Sequence, residues 1–416
     1  MSLIKEIYTT KEKSTVLSVT NNAITAVKKS DTSKTGLRVY DGEFIGVAGT
    51  LGAYDENALY ARAKDMLNYK IPYACAPAQG IVRTDDLSGS FELSDIEFYE
   101  KSSALLDKLA KEYPKFAFNH QITYKETEEL LKNDKGTELV SKDKDVQVVL
   151  MYKHKDSISL MDGMGLSVSR GFDFDDVYRL MTETLEAYDE KIELPEEKMP
   201  VLFLSNHHTA LMKFYSDLNV RTLGTGASLF AGKIGEKLFA DNFTLQVNRN
   251  PKASYNAFFD AEGTVLKNDS FALIENGVLK SPYGAKKAAK MFGFEATGSA
   301  SGAYDSVPDA SPMSIHVAPG TKSIKELLGG RKAILCVSAA GGDFTAQGEF
   351  ATPIQTAYVF DGEKLLGRLP QLSARSTVFD MFGKDFVGIA NDGASAHNPF
   401  RYLALDMNIS VIGEWM

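Results

Sequence analysis

The sequence predicts an α+β protein built as two domains, and three observations carry that expectation. At 416 residues the chain is long for one hydrophobic core. Asn-Gly and Asp-Gly pairs stand between short runs of alternating apolar residues, the pattern of antiparallel hairpins. Stretches of helical periodicity follow serine or acidic caps. A charged segment interrupted by two prolines, Lys191–Pro200, divides the chain. The expected units are therefore a mixed α/β domain over 1–190, a linker over 191–200, and a mainly antiparallel domain over 201–416.

In the first unit, residues 14–50 read as short strands joined by tight turns. Val16, Leu17 and Val19 lead into Asn21-Asn22, and Ile24 and Val27 follow on the return. Asp41-Gly42 lies between LRVY and EFIGVAG, and both turn residues tolerate positive φ. A helix fits Asp55–Tyr69, with Leu59, Ala63, Met66 and Leu67 inward. A second fits Ser94–Tyr113, capped by Ser94 and favoured by Asp95 and Glu97 at its positive end. Phe116–Lys125, Asp145–Lys153 and Ser157–Leu160 alternate as strands, with a turn at Asp134–Gly136. A third helix covers Phe174–Lys191. Asp173, Asp175 and Asp176 at its start read as cap and dipole partners rather than cation ligands.

The second unit is organised around Ala210–Gly235. Capped by Ser205 or Asn206, a helix places Ala210, Leu211, Phe214, Tyr215 and Leu218 on one face. Gly224 and Gly226 relax the backbone, and a second helix carries Leu229, Ile234 and Leu238. Strands follow at Phe243–Val247, around the Glu262-Gly263 and Asn276-Gly277 turns, and at Ile315–Val317, Ala333–Ala339, Thr356–Phe360, Lys364–Leu369, Tyr402–Asp406 and Ile409–Ile412. Helices fit Ala285–Phe292, stopped by Gly293, and Ala374–Gly383.

Composition narrows the function. A net charge of −9 and a pI near 5.4 argue against sequence-independent nucleic-acid binding, which needs a basic face. There is no signal-peptide core, no membrane-length apolar run and no CxxC pair, so a cytoplasmic protein without disulfides is expected. Cys75 stands alone, and Cys336 reads as a small buried hydrophobe. Neither a dinucleotide fingerprint nor a phosphate loop occurs, so no cofactor is expected. His207-His208 invites a metal, yet adjacent helical residues point about 100° apart and do not readily share one ion. His120, His154, His316 and His397 are scattered with no linking spacing. Ser299–Gly302 and Ser338–Gly342 put serines beside glycines without a nucleophile elbow.

One resemblance covers most of the chain. The segments GLRVYDGEFIGVAG, GASLFAGKIGEKLFADNFTLQVN, DAEGTVLKNDSFALIENGVLKSPYGAKKAAKMFGFEATGSA, GGDFTAQGEFATPIQTAYVFDGEKLLGRLP and MFGKDFVGIAND, in this order, resemble the TldD/PmbA family. That family is named for effects on DNA gyrase and is associated with proteolysis. Its TldD kind carries a His-Glu-x-x-x-His segment for a metal, and its PmbA (TldE) kind lacks it. Aligned without gaps on Gly226, Ser228 and Phe230, this chain places Leu211, Met212 and Ser216 where the two histidines and the glutamate would be. Those side chains do not replace two imidazoles and a carboxylate. The metal-bearing relatives also carry a cysteine near the end; here AHNPFRYLALDMNISVIG has none.

The resemblance implies a PmbA-like subunit without its own metal, paired with a TldD-like metal-bearing subunit or with itself, and acting on unfolded peptides. Gly226, Ser228 and Asp343 are its candidate groove or turn residues. Strand addition is a plausible mode of peptide binding, with the edge unspecified. An autonomous hydrolase with a non-metal or relocated site, and a non-catalytic homodimeric binding or regulatory protein, are the alternatives.

Overall fold

In the computed structural model, which describes residues 3–159, 161–205, 207–339, 341–395 and 397–415, the protein is α+β with predominantly antiparallel sheets. Its first sheet grows from a long ribbon. β1 (Ile4–Thr20) and β2 (Ala23–Tyr40) pair along their whole length, from Ile4 opposite Tyr40 to Thr20 opposite Ala23. Asn21 and Asn22 make the reversal with φ of 48° and 71°, the sign that a two-residue hairpin matching the strand twist requires. The segments expected to be short strands are thus single strands of 17 and 18 residues. The charged residues Lys11, Glu12 and Lys28 lie on exposed parts of the ribbon.

β3 (Ile45–Leu51) pairs only with the second half of β2, so positions 23–33 of β2 form an edge. Lys28, Lys29 and Asp31 on that edge discourage uncontrolled pairing. On the other side of β1 come β5 (Phe116–Asn133), β6 (Glu138–His154) and β7 (Gly163–Ser169), with β4 (Val82–Asp86) parallel to β6. The segment at Ser157 is a connection rather than a strand, and Leu160 lies outside the described residues.

Helices α1 (Glu56–Asp65), α2 (Asp95–Glu112) and α3 (Phe174–Glu186) follow the expected caps. Asp55 and Asp173 accept from the first-turn N–H groups of α1 and α3, and α3 ends before Lys191. On α2, Ser94 Oγ accepts from Glu97 N at 3.2 Å while the Glu97 carboxylate reaches back to Ser94 N at 2.9 Å. This closed box satisfies two orphan donors. Ser94→Ala is accordingly expected to lower stability by about 1 kcal/mol in chemical denaturation; no change would mean that water caps this helix equally well. α2 and α3 cover the sheet with Leu105, Leu106, Leu109, Val177, Met181 and Leu185 against Phe118, Ile122, Val148 and Leu150.

The second half begins with β8 (Lys198–Leu204), α4 (His208–Asp217) and α5 (Val220–Gly224). β9 (Leu245–Asn248), α6 (Pro251–Ser254), β10 (Ser270–Glu275), β11 (Val278–Leu279) and α7 (Lys286–Phe292) come next. A short pair, β12 (Ala300–Ser301) and β13 (Asp309–Ala310), precedes β14 (Ile315–Val317) and α8 (Ile324–Leu328). β15 (Ala333–Ala339), β16 (Asp343–Phe344), β17 (Glu349–Phe360), β18 (Leu365–Arg368), β19 (Leu372–Thr377), α9 (Val378–Met381), β20 (Phe386–Ile389) and β21 (Tyr402–Val411) complete it. The strands run in the order β15-β8-β21-β19-β17, and β15 also pairs with β17, closing the path into a ring. Closure removes edges from these five strands. A four-stranded sheet, β11-β10-β9-β14, packs beside it.

Two helix expectations fail here. Residues 228–240 form successive turns, not a second helix: Leu229 and Leu238 pack on the core, but Ile234 is exposed. Gly226, Gly232 and Gly235 all have positive φ within 10 residues, which no helix accommodates. Ala374 belongs to β19, and only Val378–Met381 is helical, because pairing with β17 and β21 claims Leu372–Arg375. The apolar face of α4 is as expected; Phe214 lies at the centre of a ring cluster with Phe230, Phe239, Phe243 and Phe382.

Candidate functional site

Leu211, Met212 and Ser216 lie on α4, which meets the turns after it and the β16–β17 hairpin. α4 does not use Ser205 as its cap, and Asn206 is outside the described residues. His207 serves instead: its Nδ1 accepts from Ala210 N at 3.4 Å and its ring packs on Phe203 at 4.8 Å. An accepting Nδ1 must be unprotonated, and burial pushes this imidazole down to about 4, with the neighbouring His208 adding to the shift. His208 packs instead against Tyr215. The adjacent histidines therefore serve different neighbours.

Leu211 is completely buried in the apolar core with Phe214. Met212 is partly exposed. Ser216 is held locally, donating to Lys213 O at 3.1 Å and to the Asp217 carboxylate at 2.7 Å. Beside them lies a pair that the sequence reading passed over. Lys213 Nζ sits 3.1 Å from Asp217 Oδ2, and both side chains are buried. Lys213 also donates to Ala346 O at 3.3 Å, and Asp217 Oδ2 accepts from Leu229 N at 2.7 Å. A buried ion pair of this kind needs such extra hydrogen bonds to offset its desolvation. It ties α4 to the hairpin on one side and to the following turns on the other. The i, i+4 spacing of Lys213 and Asp217 was visible in the sequence; their burial was not.

The three candidate groove residues separate. Gly226, with φ of 79°, ends the turn after α5. Ser228 is buried, and its Oγ accepts from Phe230 N at 2.9 Å. Asp343 is exposed on β16, accepts from its neighbour Phe344 N at 2.7 Å, and lines an outer groove with Glu349, Arg375 and Asp380. Gly342 before it approaches Thr209 and Thr352 so closely that an added Cβ would lie 2.5 Å from Thr352 Oγ1.

Of the scattered histidines, two meet. His316 on β14 and His397 ahead of β21 line one cavity between the two halves. His154 stacks on Tyr188 and packs against Phe116. Among the described residues no group of three or more His, Cys, Asp or Glu side chains is arranged to hold a metal ion. Cys336 is partly buried against the apolar core, not the fully buried hydrophobe expected, and desolvation pushes its thiol up to about 12. No helix among the described residues is long and apolar enough to cross a membrane.

The whole architecture recurs in solved proteins. TldE from Thermococcus kodakarensis superposes with a TM-score of 0.80 at 16% identity, covering 98% of this chain and 96% of that one. A candidate modulator of a DNA gyrase from Thermotoga maritima gives 0.77 at 18%, again over 98% and 96%. Such identities establish the fold alone. Sequence profiles add the lineage: the PmbA/TldA metallopeptidase domain 1 matches residues 6–67, and the PmbA/TldA metallopeptidase C-terminal domain matches 196–401. The fold and these matches define a metallopeptidase-like protein. The chain belongs to the TldD/PmbA family.

Sequence relatives match more locally. An uncharacterised protein of Methanocaldococcus jannaschii is 31% identical over 176 residues, 41% of this chain and 40% of that protein. A protein named metalloprotease from Methanothermobacter thermautotrophicus is 30% identical over 103 residues, 25% of this chain and 22% of its own length. The matched stretches thus span well under half of these relatives.

Proposed function

We propose that this chain is the TldE/PmbA-like, non-metal subunit of a TldD/TldE-type peptidase complex that acts on unfolded peptides in the cytoplasm. The observation that carries the reading is the state of the motif positions on α4. Leu211 is buried hydrocarbon, Met212 a thioether, and Ser216 is bound to the neighbouring turn and carboxylate. None supplies an imidazole ligand, and no glutamate stands there to activate water. The neighbouring Lys213–Asp217 pair is buried and held within the chain. The structural likeness to a protein named TldE supports the same assignment. The metal and the water-activating carboxylate then come from a TldD-like partner, and this chain shapes the peptide's surroundings. Residues 1–190 and 201–416 are proposed as its two domains, joined by 191–200.

The test is peptide hydrolysis by the chain alone, by a TldD-like partner alone, and by the two mixed, each with and without chelator. Cleavage is expected to be strongest in the mixture and to vanish with chelation. Chelator-resistant cleavage by this chain alone would favour an autonomous hydrolase. A mixture no more active than the partner alone would leave a binding or regulatory protein as the better reading.

A further inference from the structure

The cavity shared by His316 and His397 has a volume of about 360 Å³ and no acidic residue in its lining. In a chain of net charge −9 that is a local inversion of sign. Its floor is the polar face of an otherwise buried sheet. On β9, Leu245 and Val247 face the core, so Gln246 and Asn248 face the cavity; His316 stands directly opposite Gln246 on β14. Nε2 of His316 is shut off from solvent and has no hydrogen-bond partner among the described residues. A buried polar atom left in that state is costly.

The walls carry two arginines and a lysine. Arg170, from the first sheet, grips Asp143 through two bonds of 2.7 and 2.6 Å, donates to Pro251 O, and lies 4.1 Å over the Tyr255 ring. Its charge is thereby balanced, and it fixes α6 as one side of the cavity. Arg401 is different. Its backbone N donates to Ser205 Oγ at 3.1 Å and Nη1 to Asn398 O at 3.0 Å, but among the described residues no carboxylate pairs with it. Lys252 likewise has no ion-pair partner among them. His397 is engaged with Asp173 at 3.0 Å. His316 stays neutral at physiological pH because burial pushes it down to about 4.

We propose that this cavity binds the carboxylate end of a short peptide, with Arg401 as the principal anion partner and Lys252 as a second. The planar guanidinium offers a forked pair of donors matched to a carboxylate. The forked donors of Arg401 and the neutral amide groups of Gln246 and Asn248 suit a planar carboxylate, and titration with phosphate separates that guest from a tetrahedral dianion. The volume lies at the small end of ligand pockets and holds one or two residues rather than a folded partner. The identity of the guest as a peptide rests on the peptide-handling reading above; the anion preference rests on the cavity alone.

The experiment is calorimetric titration of the full chain with N-acetyl-dialanine, with its carboxamide, and with inorganic phosphate. The acid is expected to bind and the amide to bind at least tenfold more weakly. Arg401→Gln should weaken the acid about tenfold with little effect on the amide. Lys252→Gln, a change at an exposed side chain, should weaken it about threefold, and it preserves the test if Arg401→Gln does not fold. Equal binding of acid and amide, phosphate binding tighter than the acid, or acid binding indifferent to Lys252→Gln and Arg401→Gln would overturn the proposal. These titrations need no partner, so their failure is distinct from failure of the mixed-subunit cleavage assay.

Discussion

Arg38→Met is expected to destabilise the protein by about 4 kcal/mol, among the largest effects of any polar substitution here. Arg38 and Glu6 are both buried and lie 3.2 Å apart on paired strands of the long ribbon. Tyr40 Oη donates to the same Glu6 oxygen at 2.8 Å, and Asn133 donates to the other at 3.1 Å. Arg38 also donates to Ala261 O, far along the chain, so the pair joins the first sheet to the second half. Removing the guanidinium keeps the Glu6 carboxylate buried with only neutral donors and takes the donor from Ala261. The penalty comes from that stranded charge more than from the lost attraction. Glu6→Gln combined with Arg38→Met should therefore cost less than the two single changes summed. Urea denaturation of the three variants measures this; a loss under 1 kcal/mol for Arg38→Met would mean that the buried carboxylate is reached by water.

The second large effect is a dependence of stability on pH with opposing contributions. Glu262 is pushed up from 4.5 to about 7, chiefly by burial and then by the negative charge of Asp260. The folded protein therefore holds a proton that the unfolded chain releases. Its contribution is complete below about pH 4.5 and is lost as pH rises through about 7, by roughly 3 kcal/mol. His207 and His316 act in the other direction. Burial holds both near 4 in the folded state, against 6.5 when unfolded. Their contributions are complete above about 6.5 and are lost as pH falls towards 4, on the order of 3 kcal/mol each. Two histidines outweigh one glutamate between pH 4.5 and 6.5, so stability should rise with pH across that window and peak near 6.5. In Glu262→Gln the opposing contribution is gone. Relative to the unmodified chain, the variant should gain roughly 3 kcal/mol between pH 4.5 and pH 8. Parallel pH profiles of the two proteins in thermal or urea unfolding would show that Glu262 ionises normally in the fold.

The physical role of Glu262 follows from its contacts. Tyr73 Oη donates to one oxygen at 2.6 Å and Lys286 N to the other at 2.7 Å. The glutamate thus joins the connection after α1 to the start of α7. Its position after Asp260 was legible as a turn, and its bridge to Tyr73, 189 positions away, was not. A turn signal is local chemistry, whereas a depressed or raised pKa is set by whatever distant chain removes water from the group.

The same division runs through the candidate site. Periodicity placed α4 and its apolar face, because residues three and four apart must share a side of a helix. It also marked Leu211 as core, and comparison with the family motif gave that position its meaning. The turns after α5 resemble a helix in sequence because Leu229, Ile234 and Leu238 fall at stripe spacing, while positive-φ glycines interrupt the backbone between them. Around Ala374, strand pairing with β17 and β21 outweighs the local helical preference of the sequence.

What the amino-acid sequence determined by itself was everything that nearest neighbours along the chain enforce: the Ser94 capping box, the Asn21-Asn22 and Asp41-Gly42 reversals, the α+β class, and side chains at 211, 212 and 216 that cannot form an imidazole–carboxylate ligand set. Tertiary structure alone decided what lies within reach of what. It closed five strands into a ring, buried Lys213 against Asp217, and gathered Arg170, Gln246, Asn248, His316 and Arg401 around one cavity. Those five residues come from segments with no common period, and only the pairing of β9 with β14 and the docking of the first sheet bring them together. Local patterns fix conformation because their interactions span a few bonds; a binding site built from distant segments exists only once long-range contacts have brought those segments together.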